Sequence, residues 1–298
     1  MAVHPGRRRG PDLADPVLHA AEPGLSLHPA AAGFARTADV YERARPEYPP
    51  EAVAWLAGRL GLRLGRVVVD VGAGTGKLTR LLVPTGARVV AVEPLAEMRA
   101  QLERAVREAE ALEGTAEALP LLDSFADAIT AASAFHWFKR AEALPELARV
   151  LRPGGRLAVV FNTRDSGSAL QRELTELLRL HGTPISWMRE VDPGEILEQS
   201  REFGRPEYAE FRHEQHFDPD GLVERVASIS YVALLEGRER EEFLAQVRKL
   251  GERQISPFAF PYVTQIWVAG AAVAQPWLSQ RPRFCGRACG FTWGGAPR

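Results

Sequence analysis

Residues 66–76 run Arg-Val-Val-Val-Asp-Val-Gly-Ala-Gly-Thr-Gly, a β-branched stretch followed at once by three glycines at alternate positions. An apolar run without alternation has no solvent-facing side. It reads as a strand covered on both faces, the habit of parallel sheets. A chain that leaves such a strand through glycines can turn sharply, and the helix that follows opens with N–H groups lacking intrahelical partners. Doubly wound α/β sheets collect their ligands at corners of this kind.

The rest of the chain supports that architecture. Ala52, Val53, Leu56 and Leu60 fall at helical spacing and are closed by Gly61. After the glycine turn the pattern predicts a helix over about 75–83, a strand over 87–92 and a helix over 94–110. A strand over 127–132, a helix over 140–151, a turn at Pro153-Gly154-Gly155 and a strand over 156–162 follow. Strands alternating with helices predict an α/β fold: a doubly wound, mostly parallel seven-stranded sheet with helices on both faces. Beyond residue 163 the pattern is mixed. Residues 166–180 read as a helix, 184–203 are ambiguous, and 208–217 and 258–268 read as strands. Helices are expected over about 219–235 and 238–253. This region is expected to supply the last two strands and a helical cap. Residues 1–33, rich in Pro, Gly, Ala and Arg, read as a mobile leader, and 276–298 as a disordered tail. A single domain is then expected over 34–275, with a binding core at about 62–163.

Composition narrows the partners. The formal net charge of −1 gives no global field toward nucleic acid or an anionic membrane, and neither is expected as a partner. The longest apolar run, Ile266–Ala274, is about half of the roughly 20 residues a spanning helix needs. Arg7, Arg8 and Arg9 precede no apolar stretch of the secretory kind, so a cytoplasmic location is expected. His213, His216, Cys285 and Cys289 lack metal-ligand spacing, and no metal is expected.

Three ligand classes compete for the glycine turn. A P-loop needs four residues between its glycines and a Ser or Thr after the lysine. Here three residues separate Gly72 from Gly76, and Leu78 follows Lys77. A dinucleotide fingerprint needs its third glycine one residue later than Gly76. Asp70 adds negative charge beside the turn. That disfavours a pyrophosphate and suits a cationic ligand such as a sulfonium with an α-amino group. Glu93 ends the next strand about twenty residues past the first glycine, where a carboxylate accepts ribose hydroxyls.

Val69-Asp70-Val-Gly72-Ala73-Gly74-Thr-Gly76 resembles the first motif of the class I S-adenosylmethionine-dependent methyltransferases. Val92-Glu93-Pro-Leu95 resembles their ribose-binding motif, Gly114-Thr-Ala116-Glu117-Ala-Leu-Pro120 the segment beside the adenine, and Leu151-Arg-Pro-Gly-Gly155-Arg the turn before their fifth strand. The resemblance covers roughly 34–162. It implies S-adenosylmethionine as cofactor, with Gly72, Ala73, Gly74 and Gly76 around its methionine part. Glu93 would hold the ribose, and Ala116 and Glu117 would lie beside the adenine. Many relatives carry Asp where this chain has Thr115. Tyr41-Glu-Arg-Ala-Arg45-Pro-Glu-Tyr48-Pro49 is similar to the N-terminal segment of a small-molecule branch (methyltransferase type 11) that includes trans-aconitate methyltransferase. There Tyr41 and Arg45 would form a lid near the methionine carboxylate. The Asn/Asp-Pro-Pro-aromatic motif of nucleobase and amide methylation is absent.

The strand 127–132 leads into Ser133-Ala-Phe135-His136-Trp137-Phe138, the place for an acceptor. His136 is the candidate base or donor there, against the plainer reading of a packing histidine. The expected activity is methyl transfer to a small-molecule acceptor, on a carboxylate or a hydroxyl. A nicotinamide-dependent oxidoreductase and a non-catalytic nucleoside-binding module are the alternatives. The acceptor itself and the oligomeric state are not legible.

Overall fold

The computed structural model describes residues 42–181 and 192–272. The expected leader and tail, Tyr41 and residues 184–191 lie outside the described residues. Strands β1 (Val67–Val71), β2 (Arg88–Val92), β3 (Glu110–Leu112), β4 (Ala126–Ala132), β5 (Leu151–Arg164), β6 (Glu207–Phe217) and β7 (Phe258–Gly270) form one sheet in the order β3-β2-β1-β4-β5-β7-β6. The first five run parallel, and β7 lies antiparallel to both β5 and β6. Strand order reverses between β1 and β4. That is the switch point at which the loops leaving neighbouring strands part and open a crevice.

The valines of β1 explain the double cover. Successive side chains of a strand point to opposite faces. Val69 and Val71 join Val90, Val92, Ile129, Phe135 and Leu147 on one side. Val68 joins Leu56, Leu82, Val89 and Val160 on the other. Helices α1 (Pro50–Leu60), α2 (Thr79–Leu82), α3 (Ala96–Ala105) and α4 (Arg140–Val150) belong to this half. Helices α5 (Ala169–Leu180), α6 (Pro193–Gln199), α7 (Pro219–Ala227), α8 (Ser230–Ala233) and α9 (Gly237–Glu252) follow. The apolar faces of α5, α7 and α9 pack together on Phe258, Phe260 and Tyr262 of β7 as a third cluster. No described helix is long and apolar enough to cross a membrane.

Four local expectations change. The helix expected over 94–110 stops at Val106, where φ is −135°, and residues 110–112 form β3, a strand the pattern did not predict. The helix expected over 75–83 is helical only from Thr79 to Leu82, then tightens into a 3-10 turn at Val83–Thr85. The Pro153-Gly154-Gly155 turn lies inside β5, where a register shift between Ala126 and Ala128 absorbs it and Gly154 takes φ 78°. The helix expected over 219–235 is two helices, α7 and α8.

Away from the crevice, Asp127 joins three elements. Its carboxylate accepts from the Val67 amide at 2.8 Å, Arg66 Nη1 at 2.7 Å and Arg152 Nη1 at 2.8 Å. The carboxylate is nearly buried while both guanidiniums are half exposed, so water offsets part of each ion pair. Asp127→Ala is expected to lower the unfolding free energy by about 2–3 kcal/mol. Urea unfolding reads this as a shifted midpoint at unchanged slope, and a shift worth under about 0.5 kcal/mol would contradict it.

Candidate functional site

The crevice at the switch point is a cavity of about 420 Å³, within the range of small-ligand sites. Its floor is the glycine turn. Gly72 and Gly74 have φ of 67° and 58°, in the left-handed region that favours glycine. A Cβ on Gly72 would lie 2.6 Å from the Ala134 side chain, whereas one on Gly74 would meet nothing within 4 Å. Gly72 thus lets two loops touch, and Gly74 leaves the cavity open. The Gly72 and Ala73 amides donate to Val92 O at 2.8 and 3.2 Å. This sets the turn against the end of β2.

Glu93 follows on that strand. It is 5% exposed and lines the cavity. Its Oε2 accepts from the Gly74 amide at 2.8 Å and its Oε1 from the Leu95 amide at 3.0 Å. Burial raises its pKa above the usual carboxylate value, and the two amides and Arg99 oppose that rise. A carboxylate offers about four acceptor sites, so Glu93 keeps capacity for hydroxyl donors. Thr115, Ala116 and Glu117 form the neighbouring wall. The Glu117 carboxylate accepts from the Lys139 amide at 2.7 Å. Thr115 Oγ1 is buried without a hydrogen-bond partner among the described residues. Such an atom costs stability unless a ligand satisfies it. Spare acceptor sites on Glu93 and a waiting hydroxyl on Thr115 fit the two ends of a nucleoside.

Residues 45–48 cover the cavity, with Arg45 and Tyr48 on its wall. Arg45 Nη2 donates to Ser228 O at 3.1 Å, and Tyr48 Oη lies 3.4 Å from Ser133 Oγ. The segment is clamped to the start of α2. Glu47 accepts from Lys77 at 2.8 Å and from Arg80 at 2.6 Å. Glu42 accepts from Arg80 at 2.5 Å and from the Thr75 hydroxyl. Partial burial pushes the Glu47 pKa up, but the charges and hydrogen bonds of Lys77 and Arg80 outweigh it and hold it below its usual value. Sequence reasoning missed this clamp. Its only signal was an acidic pair some thirty residues ahead of a basic one.

Three expected site residues stand elsewhere. Asp70 does not line the cavity. It is 1% exposed, its Oδ1 accepting from Thr130 and its Oδ2 from Thr79, both at 2.7 Å. Its register partners are Ala91 and Thr130, which keeps the side chain within the layers instead of at a ligand. Gly76 also lies off the cavity. A Cβ there would come within 3.0 Å of Val106 and 3.2 Å of Leu102, so this glycine admits α3.

His136 is the third. The chain after β4 makes a 3-10 turn over Phe135–Trp137, in which successive side chains diverge by about a third of a turn. Phe135 enters the core, Trp137 faces the cavity, and His136 lies against Trp137 and Phe161 at 4.8 and 5.6 Å between ring centres. Trp137 and Phe138 take the wall position expected of His136. Asn162 from β5 and Arg225 from α7 complete the far wall, and neither was singled out from sequence. Among the described residues no group of three His, Cys, Asp or Glu is placed to hold a metal.

Comparison with known proteins gives a consistent picture. Residues 69–159 match the methyltransferase domain family. An uncharacterized methyltransferase of Mycobacterium bovis is 40% identical over 236 residues, covering 78% of this chain and 92% of that protein. A methyltransferase-like protein of Schizosaccharomyces pombe is 30% identical over 218 residues, covering 71% and 83%. A SAM-dependent methyltransferase from Thiobacillus denitrificans, solved with S-adenosyl-L-homocysteine, shares the fold with a TM-score of 0.50 at 18% identity. That match covers 80% of this chain and 98% of the other.

Burial of Asp70 has a measurable consequence. Desolvation raises its pKa from the usual 3.8 to about 6, against the pull of the Thr79 and Thr130 hydroxyls. The folded state binds this proton more tightly than the unfolded chain. The group's contribution to stability is therefore complete below about pH 4 and is lost as pH rises through about 6, a swing of about 3 kcal/mol. Asp70→Asn removes the charge, and the threonine hydroxyls can turn to accept from the amide. The variant is expected to melt at or above the wild type near about pH 7.5 and to lose that advantage near about pH 4.5. Equal destabilisation at both pH values would show that the threonines hold the charged form.

Proposed function

The chain belongs to the class I S-adenosylmethionine-dependent methyltransferases, and from that premise we propose that its acceptor is a small molecule, methylated on a carboxylate or hydroxyl oxygen. The lining of the cavity by both halves of the chain carries this reading. The lid at Arg45–Tyr48 and helix α7 both reach its wall, which suits an acceptor small enough to be surrounded.

S-adenosylmethionine is the cofactor, and when bound it supplies a methyl group activated by its sulfonium charge. The residues of the chain would do the rest by holding and drying. Glu93 would accept the ribose hydroxyls while its amide bonds to Gly74 and Leu95 keep the carboxylate aimed. Thr115 and the backbone beside Ala116 would meet the base, with Glu117 fixed to the Lys139 amide behind them. Gly72, Ala73 and Gly74 would pass beneath the methionine part. Arg45, together with Tyr41 beyond the described residues, would cover it. Trp137 and Phe138 would give the acceptor an apolar wall that excludes water. A carboxylate oxygen has no proton to lose, so alignment alone would serve it. His136 would then position Trp137 and would not move a proton.

Calorimetry distinguishes the cofactor classes. S-adenosylhomocysteine is expected to bind and NADH is not, and Glu93→Ala is expected to weaken the former roughly 10- to 100-fold. An unchanged affinity would remove Glu93 from the ribose. Turnover of labelled methyl groups separates an enzyme from a nucleoside sensor. His136→Ala is expected to slow turnover by less than about tenfold and to leave the pH profile intact. A loss of about 100-fold together with a missing inflection would restore it as a base.

A further inference from the structure

Arg225 is a buried cation without a counter-ion among the described residues. It is 5% exposed, sits in the last turn of α7 and lines the cavity. Its Nε donates to Tyr262 Oη at 2.8 Å, and its guanidinium carbon lies 5.8 Å from the centre of the same ring. The other arginines that line or clamp the site have further roles: Arg80 pairs with Glu42 and Glu47, and Arg45 reaches the backbone of Ser228. No carboxylate among the described residues pairs with Arg225. The aromatic ring and the α7 carbonyls ease the cost of burying this charge without neutralising it.

Its place in the sheet separates it from the nucleoside. Tyr262 pairs with Arg164 at the carboxyl end of β5, so it stands at the same end of the sheet as the glycine turn. In the order β2-β1-β4-β5-β7 it is four strands from Glu93, about 19 Å at the usual spacing. With Nε taken by the phenol, the two Nη groups remain to form a parallel fork, the geometry that matches a carboxylate. One uncompensated positive charge also balances one carboxylate better than a phosphate, which carries about −1.5 to −2.

We propose that Arg225, oriented by Tyr262, binds a carboxylate of the methyl acceptor and selects acidic small molecules as substrates. This rests on the small-molecule reading above. It adds a residue and a substrate charge that the sequence motifs do not contain.

The test supplies the enzyme with methyl-labelled S-adenosylmethionine and a metabolite extract split on an anion exchanger. The retained fraction is assayed before and after phosphatase treatment. Label is expected in an acceptor from the retained fraction, unaffected by phosphatase. On that acceptor Arg225→Gln is expected to lower kcat/KM about 100-fold, chiefly through KM. Arg225→Lys should recover about tenfold, since it restores charge but not the fork. Tyr262→Phe keeps the ring and the guanidinium and should raise KM about tenfold, which covers the case in which Arg225→Gln folds poorly. S-adenosylhomocysteine should bind all three variants within about twofold of the wild type.

Label confined to the unretained fraction, or lost after phosphatase, overturns the carboxylate assignment and leaves the small-molecule reading standing. A cofactor affinity that falls as far as turnover overturns it by assigning Arg225 to the cofactor. Label in neither fraction, with S-adenosylhomocysteine still bound, overturns the small-molecule reading and this assignment with it.

Discussion

The site depends on one contact, the close approach of Gly72 to Ala134. The loops leaving β1 and β4 part company in direction but touch at this point, where a Cβ would come within 2.6 Å of its neighbour. The contact fixes the cavity floor. The Gly72 and Ala73 amides are then held by Val92 O, which ties the exit of β2 to the same point. Glu93, the next residue, receives the Gly74 amide and is aimed by it. Three strand ends are thus referenced to each other through backbone atoms, which lack the rotamer freedom of side chains. Even an alanine at position 72 would have to push the loops apart or distort a left-handed φ.

How the charges are partnered follows depth. Within the layers, Asp70 and Glu93 are answered by hydroxyls and amides. Nearer to water, Glu42 and Glu47 are answered by lysine and arginine. Neutral donors hold a buried carboxylate without bringing a second ion into low dielectric, where two desolvation costs must be met. Guanidiniums are better placed at the rim, where part of their surface stays hydrated. The lid over the cavity is secured by rim pairs of this second kind.

The half of the chain that the sequence made legible is the half governed by local rules. A β-branched run, a glycine turn and an acidic residue at a fixed distance report on neighbours in the same βαβ unit, so β1, β2 and Glu93 stood where spacing put them. The misread residues depend on which way a side chain turns. Asp70 was read as facing a ligand, because its two threonine partners, Thr79 and Thr130, look unremarkable in sequence. His136 was read as facing the acceptor, because nothing in six residues announces a 3-10 turn. β3 was missed since three half-buried residues carry no period. Arg225 lies some 150 residues from the glycines and joins them only through the antiparallel return of β7.

That return has a consequence for how such a chain can diversify. Because β6 runs with β5 and β7 runs against both, the chain reaches the ligand end of the sheet twice after β5, at residues 165–181 and 218–257. Both excursions join the third hydrophobic cluster, through α5 in the first and α7 and α9 in the second. The second begins on β6 and ends on β7, strands whose positions are already fixed by pairing. Insertions, deletions or exchanges in the second alter the chamber wall at Arg225 while leaving the wall built from residues 72–117 in place. The edge hairpin therefore works as an interchangeable fitting: one half of the gene can drift toward new chemistry under loose selection while the other stays under tight constraint.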